Sequence, residues 1–479
     1  MDLLKKTEST SILKRPAIYT DYYELTMAQG YFLSGRKEEQ ACFDYFFRSN
    51  PYEGGYVVFA GISDVLEILS DFRFHEDELQ YLSDRGFKPE FLQYLRNFEL
   101  NVDIYSAHEG EIVFPREPIV RVEGSIIETQ ILETLLLNIL NFESLIATKA
   151  ARLKYAAGEH KVLDFGLRRA QGFGGIQASK AAIIGGVEAT SNVYSSFIHG
   201  TPASGTMAHS WIQSFEDELT AFRKYAEFYP DNCILLVDTY DTLNSGVPNA
   251  IQVAKELRER GHQLKGIRLD SGDLAYFSRK ARTQLDEAGF EDVKIAVSNQ
   301  LDERLITSLL SQNAPIDLFG VGTRLVTGHE SPALDGVYKL ASVNNEPKLK
   351  ISENIEKITL PGRKKVLRYT DDSGTMYGDG IVLDEEENVS TIYHPYYSAK
   401  HATVTSYHAE ELLNPVMRNG IPDNGLSTPL ESAEYARRRL EKLSPEHKRF
   451  DNPHIYKVGL SKKLMDLRDN LTQNIKDKI

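Results

Sequence analysis

CILLVDTYDTLNSGVPNAIQVAKELRERGHQLKGIRLDSGD, residues 233–273, is the stretch that decides the fold class. Its first part, 233–241, is an apolar run that predicts a buried strand ending in acidic residues. Residues 247–261 have the spacing of an amphipathic helix, and 264–273 form a second strand of the first kind. Parallel strands need a crossover connection, so this order predicts a β-strand, α-helix, β-strand unit.

The same alternation extends over residues 160–330. Further strands are predicted at 161–166, 191–200, 293–299 and 316–323, and further helices at 175–186, 211–229, 274–290 and 301–313. Five or six such units predict a parallel sheet with helices outside it. A doubly wound sheet and a (β/α) barrel both satisfy this order.

Polar or glycine residues end the predicted strands: Asp164, His199, Asp238, Asp270 with Asp273, Asn299, and then Gly320 and Gly322. Ligands bind at the carboxyl ends of the strands in both folds, but one ring of six strand ends favours the barrel.

The flanking regions have a different pattern. Segments 38–61 and 109–124 are aromatic or β-branched and are broken by proline and glycine, which predicts short antiparallel strands. Strand patterns return at 336–352, and the tail from 427 is charged and helical. We therefore expect an α/β protein with an N-terminal α+β domain at 1–127, a (β/α) barrel catalytic domain at 128–335, and a C-terminal segment at 336–479 that packs back on the N-terminal domain.

Composition limits the possible functions. The net charge over 479 residues is 55 − 69 = −14, which argues against bulk binding of nucleic acid. The two cysteines, Cys42 and Cys233, form no metal or disulfide motif. The longest apolar run, 131–140, is far shorter than the ~20 residues that span a bilayer, and the first residues lack a signal-peptide core. We expect a cytoplasmic protein without membrane contact.

Three motifs could bind anions or sugars. GVGTR at 320–324 is a glycine turn whose backbone N–H groups could hold a phosphate, or a plain connection. RLDSGD at 268–273 offers two carboxylates and a serine for Mg²⁺ or ribose hydroxyls, although Asp273 also suits a helix N-cap. Arg168 and Arg169 follow a strand, and they form either a solvated pair or an anion site.

Two further features carry alternatives. His209 lies in GTMAHSW, and it could be a nucleophile, a general base, a metal ligand or a packed residue. A metal site is disfavoured because no HxH, HExxH or CxxC spacing occurs, while Asp238 could orient the imidazole. The tyrosines of YTDYY at 19–23 either pack at a domain edge or offer a ring for stacking. The residues alone indicate a barrel enzyme acting on a phosphorylated, sugar-containing anion, and leave the reaction open.

Taken together and in order, the motifs resemble those of the nicotinate phosphoribosyltransferase family over nearly the whole chain. The motifs are TDYYELTMAQGYF, FDYFFRSNPY, DFGLRRAQG, GTMAHSW, VDTYDTLNSGVPNA, GIRLDSGDL, VSNQLDE, GVGTRLVT and DGVYKL. The resemblance implies an irregular (β/α) barrel with a sandwich-like N-terminal domain completed by C-terminal segments. It also implies a homodimer with active sites shared between subunits.

The activity that the resemblance implies joins nicotinate to phosphoribosyl pyrophosphate, giving nicotinate mononucleotide and pyrophosphate. Hydrolysis of ATP is coupled to this through a phosphohistidine, with Mg²⁺, in the first step of NAD synthesis from nicotinate. The implied catalytic residues are His209, which is phosphorylated, and Asp238. The implied nicotinate contacts are Tyr23, Phe165, Thr206 and Arg268. The implied phosphoribosyl and phosphate contacts are Arg168, Asp270, Ser271, Gly272, Asn299, Gly320, Gly322 and Thr323, with Asp270 also a candidate Mg²⁺ ligand.

Three rival functions stay open at this point. A nicotinamide-using relative would carry an acidic residue in the stretch 199–202, where this chain has Pro202. A quinolinate enzyme would release carbon dioxide. A non-catalytic nucleotide-binding relative would have kept the pocket without the reaction.

Overall fold

The computed structural model describes residues 13–353, 357–397, 399–423 and 425–478. The chain forms two compact units. Residues 1–145 and 333–479 make the two-segment unit, and residues 146–332 make the parallel-sheet unit. The sequence analysis placed its boundaries at 127/128 and 335/336. The first twelve residues of the predicted N-terminal domain lie outside the described residues.

The α-helices are α1 Tyr22–Leu33, α2 Ile62–Leu69, α3 Glu76–Asp84, α4 Pro89–Arg96, α5 Ile126–Gln130, α6 Glu133–Ala157, α7 Gly174–Ile184, α8 Val193–His199, α9 His209–Gln213, α10 Glu218–Phe228, α11 Val247–Glu259, α12 Leu274–Glu287, α13 Glu303–Ser311, α14 Thr323–Val326, α15 Pro429–Lys442 and α16 Lys462–Lys476.

The strands are β1 Gln40–Phe47, β2 Val57–Val58, β3 Asp103–Ser106, β4 Ile112–Val113, β5 Val120–Ser125, β6 Lys161–Asp164, β7 Ala189–Thr190, β8 Ile234–Leu236, β9 Gly266–Leu269, β10 Lys294–Ser298, β11 Leu318–Val321, β12 Gly336–Val343, β13 Glu346–Pro347, β14 Lys364–Thr370, β15 Met376–Leu383, β16 Thr391–Tyr393, β17 His401–Thr403, β18 His408–Glu411, β19 Asn414–Arg418, β20 Ile421–Pro422 and β21 Val458–Leu460.

The parallel-sheet unit is built on one six-stranded sheet in the order β7-β6-β11-β10-β9-β8, and all its pairs are parallel. The order is cyclic, because β11 returns to lie beside β6 and the unpaired junction falls between β7 and β8. A parallel bridge between Thr190 and Ala203 extends the sheet on the open side of β7. The sheet is thus a curled half-barrel with one seam, and the irregular closed barrel stays a prediction.

The register places one row of apolar side chains side by side on one face of this sheet. Val162, Leu235, Ile267, Val297 and Phe319 are fully buried. Because all these strands run in the same direction, the polar residues that follow them lie at one edge of the sheet.

Two sequence predictions in this unit were wrong. Within residues 191–200, Val193–His199 form the helix α8 after the two-residue strand β7, because the Asn192 side chain accepts the Ser195 N–H at 3.1 Å and caps that helix. His199 therefore ends a helix and not a strand. The predicted helix 211–229 is interrupted between α9 and α10, where Asp217 accepts the Thr220 N–H at 2.8 Å.

The two-segment unit contains three sheets. A seven-stranded sheet has the order β13-β12-β1-β5-β3-β19-β20, a six-stranded sheet has the order β17-β16-β21-β15-β14-β18, and β2 pairs with β4. β1 lies between β5 from the N-terminal segment and β12 from the C-terminal segment, and both pairs are antiparallel. β19 pairs with β3 in the same way. The C-terminal segment thus supplies strands to a sheet begun by the N-terminal segment.

A buried ionic cluster lies in the two-segment unit, centred on Arg368. Its guanidinium donates to Glu111 at 2.5 Å, to Asp379 at 2.6 Å and to the Ile112 carbonyl at 2.7 Å. Arg439 donates to the same Glu111 carboxylate at 2.8 Å, so two cations hold the pKa of Glu111 below its usual value against the effect of burial. The charges are compensated within the fold.

The helical run Ile126–Ala157 is long and apolar enough to cross a membrane by length and composition alone, which the sequence analysis did not anticipate. Within its most apolar window, 67% is buried inside the protein. A core helix has the same properties.

Candidate active site

The carboxyl ends of neighbouring strands bring most of the predicted site residues together. Arg268 on β9 is the direct neighbour of Ala296 on β10, and Gly320 on β11 is the neighbour of Leu163 on β6. Phe165 follows β6, and its N–H donates to the Val321 carbonyl at 2.8 Å. The site is therefore assembled from segments that are distant in sequence and adjacent in the sheet.

Arg268 contacts two other residues predicted to bind one planar anion, Thr206 and Phe165. One terminal nitrogen donates to Thr206 Oγ1 at 2.5 Å and to the Met207 carbonyl at 3.1 Å, and Nε donates to Ser298 Oγ at 3.2 Å. The guanidinium carbon lies 5.8 Å from the centre of the Phe165 ring. Among the described residues, the other terminal nitrogen reaches only Asp270, at 3.5 Å, which is longer than an ordinary hydrogen bond. That nitrogen has capacity for a ligand.

His209 is the first residue of α9, and its side chain is 38% exposed. Its Nδ1 lies 3.0 Å from Thr239 Oγ1, and its Nε2 lies 3.9 Å from Asp270 Oδ2. An imidazole bound at one nitrogen and open at the other has a fixed orientation. The geometry suits a base or a nucleophile at Nε2.

Asp238, predicted to orient His209, makes no hydrogen bond with it among the described residues. Asp238 Oδ2 accepts from the Asp270 N–H and the Ser271 hydroxyl, both at 2.7 Å. Successive side chains of an extended chain point to opposite sides, so Thr239 faces the histidine and Asp238 does not. Asp238 instead shapes the turn that carries Asp270. Its Oδ1 is buried and has no hydrogen-bond partner among the described residues.

Sequence reasoning missed Thr239 and Ser298. Ser298 donates to Asp270 through a short hydrogen bond and receives one from Arg268, so it fixes both side chains. The only signal for them in the sequence was position: Thr239 follows the predicted site residue Asp238, and Ser298 precedes the predicted site residue Asn299.

Asp164 and Asp273 are structural residues. Asp164 is buried and accepts from the Gly166 N–H, the Ser179 hydroxyl and the Thr190 hydroxyl at 2.7–2.8 Å. Burial raises the pKa of Asp164, while these three donors lower it. Asp273 accepts the Tyr276 N–H at 3.0 Å and caps α12, which is the simpler of its two interpretations.

The glycine turn after β11 is shaped by Phe165. A Cβ on Gly320 would lie 2.4 Å from the Phe165 ring, and a Cβ on Gly322 would lie 3.2 Å from its carbonyl oxygen. Thr323 begins the short helix α14. At the end of β10, Asn299 and Gln300 have φ 86 and 51, a left-handed conformation that concentrates at functional sites.

The remaining predicted residues are exposed. Arg168 is exposed in a short 3₁₀ turn after β6 and makes no hydrogen bond or ion pair with the described residues. Ser271 and Gly272 are exposed in the turn before α12. Tyr23 belongs to the two-segment unit, where it is 45% exposed on α1; desolvation and the Glu133 carboxylate raise its pKa.

Tyr22 packs edge-on against Phe87 with ring centres 5.7 Å apart, and the Tyr19 hydroxyl donates to Asn138 at 2.9 Å. These two tyrosines therefore follow the packing interpretation.

Within the described ranges, no group of three His, Cys, Asp or Glu side chains could hold a metal ion by itself. Mg²⁺ commonly uses one or two carboxylates together with the phosphates of a substrate. The unpartnered buried oxygen of Asp238 and the adjacent Asp270 carboxylate fit that mode of binding.

The strand ends of this curled parallel sheet bring together an arginine, an aromatic ring, carboxylates and a glycine turn. Such an arrangement is typical of the small-molecule site of an α/β enzyme. Three family profiles match the chain: the nicotinate phosphoribosyltransferase N-terminal domain at 18–141, the nicotinate phosphoribosyltransferase family at 160–389, and its C-terminal domain at 363–468.

The chain is 44% identical over 474 residues to a nicotinate phosphoribosyltransferase of Bacillus subtilis, covering 97% of this chain and 96% of that protein. It is similar to the crystal structure of human nicotinic acid phosphoribosyltransferase, with a TM-score of 0.82, 32% identity, and coverage of 94% and 99% of the two chains. A nicotinate-nucleotide pyrophosphorylase from Pyrococcus furiosus matches with a TM-score of 0.70, 26% identity, and coverage of 88% and 94%. The chain belongs to the nicotinate phosphoribosyltransferase family, which confirms the resemblance in its motifs.

Proposed function

We propose that this protein is an enzyme that transfers the phosphoribosyl group of phosphoribosyl pyrophosphate to nicotinate, with coupled ATP hydrolysis, in the first step of NAD synthesis from nicotinate. The observation that carries the proposal is the cluster of Arg268, Thr206 and Phe165. Nicotinate is a planar anion, and an arginine with a free donor beside an aromatic ring matches its carboxylate and its ring. In this proposal Tyr23 of a second chain covers the other face of the ring.

The phosphoribosyl donor is assigned to the strand ends around this cluster. Gly320, Gly322 and Thr323 hold the 5′-phosphate, and Asp270, Ser271 and Asn299 hold the ribose, with Gly272 and Arg168 at the pyrophosphate. The nicotinate nitrogen forms a bond to ribose C1 as the bond from C1 to pyrophosphate breaks. The protein positions these two atoms and stabilises the developing charges.

His209 is the proposed acceptor of the ATP γ-phosphoryl group. With the Nδ1 proton donated to Thr239, Nε2 keeps its lone pair. Nε2 then forms the bond to phosphorus while the bond from phosphorus to the bridging oxygen breaks and ADP leaves. Water later cleaves the phosphohistidine and releases phosphate.

Mg²⁺ is the proposed cofactor, with Asp270 as the first candidate ligand and Asp238 as the second. When bound, it would neutralise charge on pyrophosphate and ATP. The support is the unpartnered buried oxygen of Asp238 beside the turn that carries Asp270.

A homodimer with shared active sites is the proposed assembly. Large apolar side chains are exposed near the ends of β6 and β7, namely Phe173 at 74%, Val193 at 74%, Tyr194 at 53%, Phe197 at 76% and Leu167 at 41%. Exposed apolar surface of this extent favours contact with another chain. We also propose a cytoplasmic location.

The test is product analysis by mass spectrometry with nicotinate, phosphoribosyl pyrophosphate and Mg²⁺, with and without ATP. We expect nicotinate mononucleotide and pyrophosphate, at higher yield with ATP. Arg268→Ala should lower kcat/KM for nicotinate by about 10²–10³-fold, because a charged contact of roughly 3–4 kcal/mol is lost.

Each rival function has its own outcome in this assay. Equal turnover of nicotinamide would favour the amide enzyme, and release of carbon dioxide from quinolinate would favour the decarboxylating enzyme. Failure to form any pyrophosphate would leave a non-catalytic binding protein.

A further inference from the structure

Asp164 ends β6 directly before Phe165, and it has no role in the proposed reaction. Its side chain is fully buried, and its donors among the described residues are all neutral: the Gly166 N–H and the hydroxyls of Ser179 and Thr190. Burying a carboxyl group among neutral donors costs free energy that an apolar side chain would not cost. A carboxylate offers acceptor positions on two oxygens, whereas an amide has one acceptor oxygen. The role of Asp164 therefore lies in the separate segments that its two oxygens join.

The first oxygen fixes the backbone around Phe165. The Phe165 N–H donates to the Val321 carbonyl, and the Gly166 N–H donates to Asp164 Oδ1, both at 2.8 Å. An aspartate that accepts the N–H two residues further on makes a tight local turn. The two peptide groups that flank the Phe165 Cα are therefore both held, and with them the direction in which the ring leaves the backbone. Phe165 keeps exposed surface, so its ring can contact a ligand.

The second oxygen reaches the segment that leads to Thr206. Asp164 Oδ2 accepts the Thr190 hydroxyl at 2.7 Å. The backbone of Thr190 in turn donates to the Pro202 carbonyl at 3.0 Å and accepts the Ser204 N–H at 2.9 Å. Thr206 lies two residues further along this segment and also keeps exposed surface. Hydrogen bonds thus connect Asp164 to a second part of the site as well as to Phe165.

The hydroxyls that contact Asp164 are themselves anchored. The Thr190 hydroxyl oxygen accepts the Asn192 N–H at 2.9 Å, and the Asn192 side-chain amide donates to Ser179 Oγ at 3.2 Å. The side chains of Ser179, Thr190 and Asn192 are all fully buried. A buried polar network whose members are bonded to one another is rigid. The position of the Asp164 carboxyl group is therefore well determined.

We propose that Asp164 is a positioning residue for nicotinate: its carboxyl group sets both the direction of the Phe165 ring and the place of the segment that carries Thr206. The inference rests on the proposed function, because Phe165 and Thr206 are proposed nicotinate contacts. Asp164 is too deeply buried to touch a ligand, so it acts through these two residues. One shared anchor keeps the ring and the threonine at a constant separation, as the binding of a flat substrate in one orientation requires.

The direct test is Asp164→Asn, which keeps the shape of the side chain and leaves one acceptor oxygen. Steady-state rates of nicotinate mononucleotide formation are measured with either nicotinate or phosphoribosyl pyrophosphate varied. We expect KM for nicotinate to rise about tenfold, as for the loss of one buried hydrogen bond, while kcat changes less than about twofold. KM for phosphoribosyl pyrophosphate should change less than about threefold, because most of its proposed contacts follow other strands.

A matched pair of serines separates positioning from stability. Ser179→Ala removes one of the two hydroxyls at Asp164 Oδ2 and should raise KM for nicotinate about threefold. Ser278 is equally buried, on α12 of the same unit, where its hydroxyl donates to the Ala275 carbonyl at 3.2 Å. Ser278→Ala should therefore leave KM for nicotinate unchanged at a similar cost in stability, which denaturant titration measures. An equal rise of KM in the two variants would contradict the positioning role.

An unchanged KM for nicotinate in Asp164→Asn would overturn the inference, and so would an equal rise of both KM values, since that indicates a general loosening of the site. If Asp164→Asn does not fold, Thr190→Val replaces it. KM for nicotinate should then rise about tenfold, and Thr190→Ser, which keeps the hydroxyl, should restore the wild-type value. A wild-type protein that forms no nicotinate mononucleotide would instead refute the proposed function, and this inference with it.

Discussion

The clusters around Arg368 and Arg268 use their charged groups differently. In the two-segment unit, each nitrogen of Arg368 donates to a protein oxygen at 2.5–3.0 Å, so this guanidinium has little capacity for a ligand. In the parallel-sheet unit, one nitrogen of Arg268 makes only a 3.5 Å contact with the described residues, and Asp238 Oδ1 has no hydrogen-bond partner among them. The difference separates charges that stabilise a fold from charges reserved for a substrate, and it can be tested from both sides.

The largest effect is expected at His209, in the parallel-sheet unit. His209→Ala removes the nitrogen proposed to accept the phosphoryl group, so acid-labile labelling from γ-labelled ATP and nicotinate-dependent ATP hydrolysis should both disappear. Some uncoupled phosphoribosyl transfer should remain, because the Arg268 cluster is intact. The readouts are phosphate release and scintillation counting of protein, and labelling that persists would refute the role.

The next largest effect is expected at Arg368, in the two-segment unit. Arg368→Met leaves Glu111 and Asp379 buried with fewer partners, so the free energy of unfolding should fall by about 3–5 kcal/mol. Arg437→Met is the matched control, since Arg437 forms exposed pairs with Glu434 and Glu441 on α15, and its replacement should cost about 0–1 kcal/mol. Denaturant titration checks both, and equal losses would contradict the distinction between the two kinds of charge.

A smaller effect is expected at Thr239. Thr239→Val keeps the shape and removes the hydroxyl 3.0 Å from His209 Nδ1, so the rate of His209 phosphorylation should fall about tenfold, as for a hydrogen bond of ~1–1.5 kcal/mol. Thr239→Ser should restore most of the rate. A positioning role also predicts a changed pH profile for phosphorylation, and an unchanged profile in Thr239→Val would argue against it.

The smallest effect concerns Glu117, beside the Arg368 cluster. Burial, and then the nearby Asp379 carboxylate, raise the pKa of Glu117 well above 4.5. A carboxyl group with a raised folded-state pKa stabilises the fold below its unfolded pKa, and that stability is lost as pH rises towards the folded value.

Glu117→Gln should therefore gain stability relative to the wild type as pH increases from about 4.5 towards neutrality. Urea titrations of the two proteins across that range provide the measurement. A constant difference between them would show that Glu117 does not titrate there.

Most of the parallel sheet could be predicted from sequence, because buried parallel strands contain continuous apolar runs such as 234–236 and 295–297. The prediction of a strand at 191–200 was wrong, because the apolar residues there indicated burial, whereas Val193 and Phe197 are exposed. This helix depends on local capping by Asn192, which the pattern of apolar residues does not reveal.

Part of the site could also be predicted, and the reason for the limit is geometric. Arg268, Thr206 and Phe165 were grouped through the family resemblance, and the structure places them in contact. The hydrogen-bond partner of His209 could not be chosen from sequence, because Asp238 and Thr239 are adjacent and only the backbone direction determines that Thr239 faces the ring.

The segment 202–208 lies beside the seam between β7 and β8. It is tied to the sheet by backbone hydrogen bonds between Thr190 and the residues Pro202 and Ser204, at 3.0 and 2.9 Å. A strand inside the sheet is paired along both margins. This segment is paired with the sheet backbone along one margin, and Arg268 holds it from β9 through Thr206 Oγ1 and the Met207 carbonyl. An insertion or deletion here would therefore leave the backbone pairing of the sheet intact and would shift the arginine that is proposed to bind nicotinate.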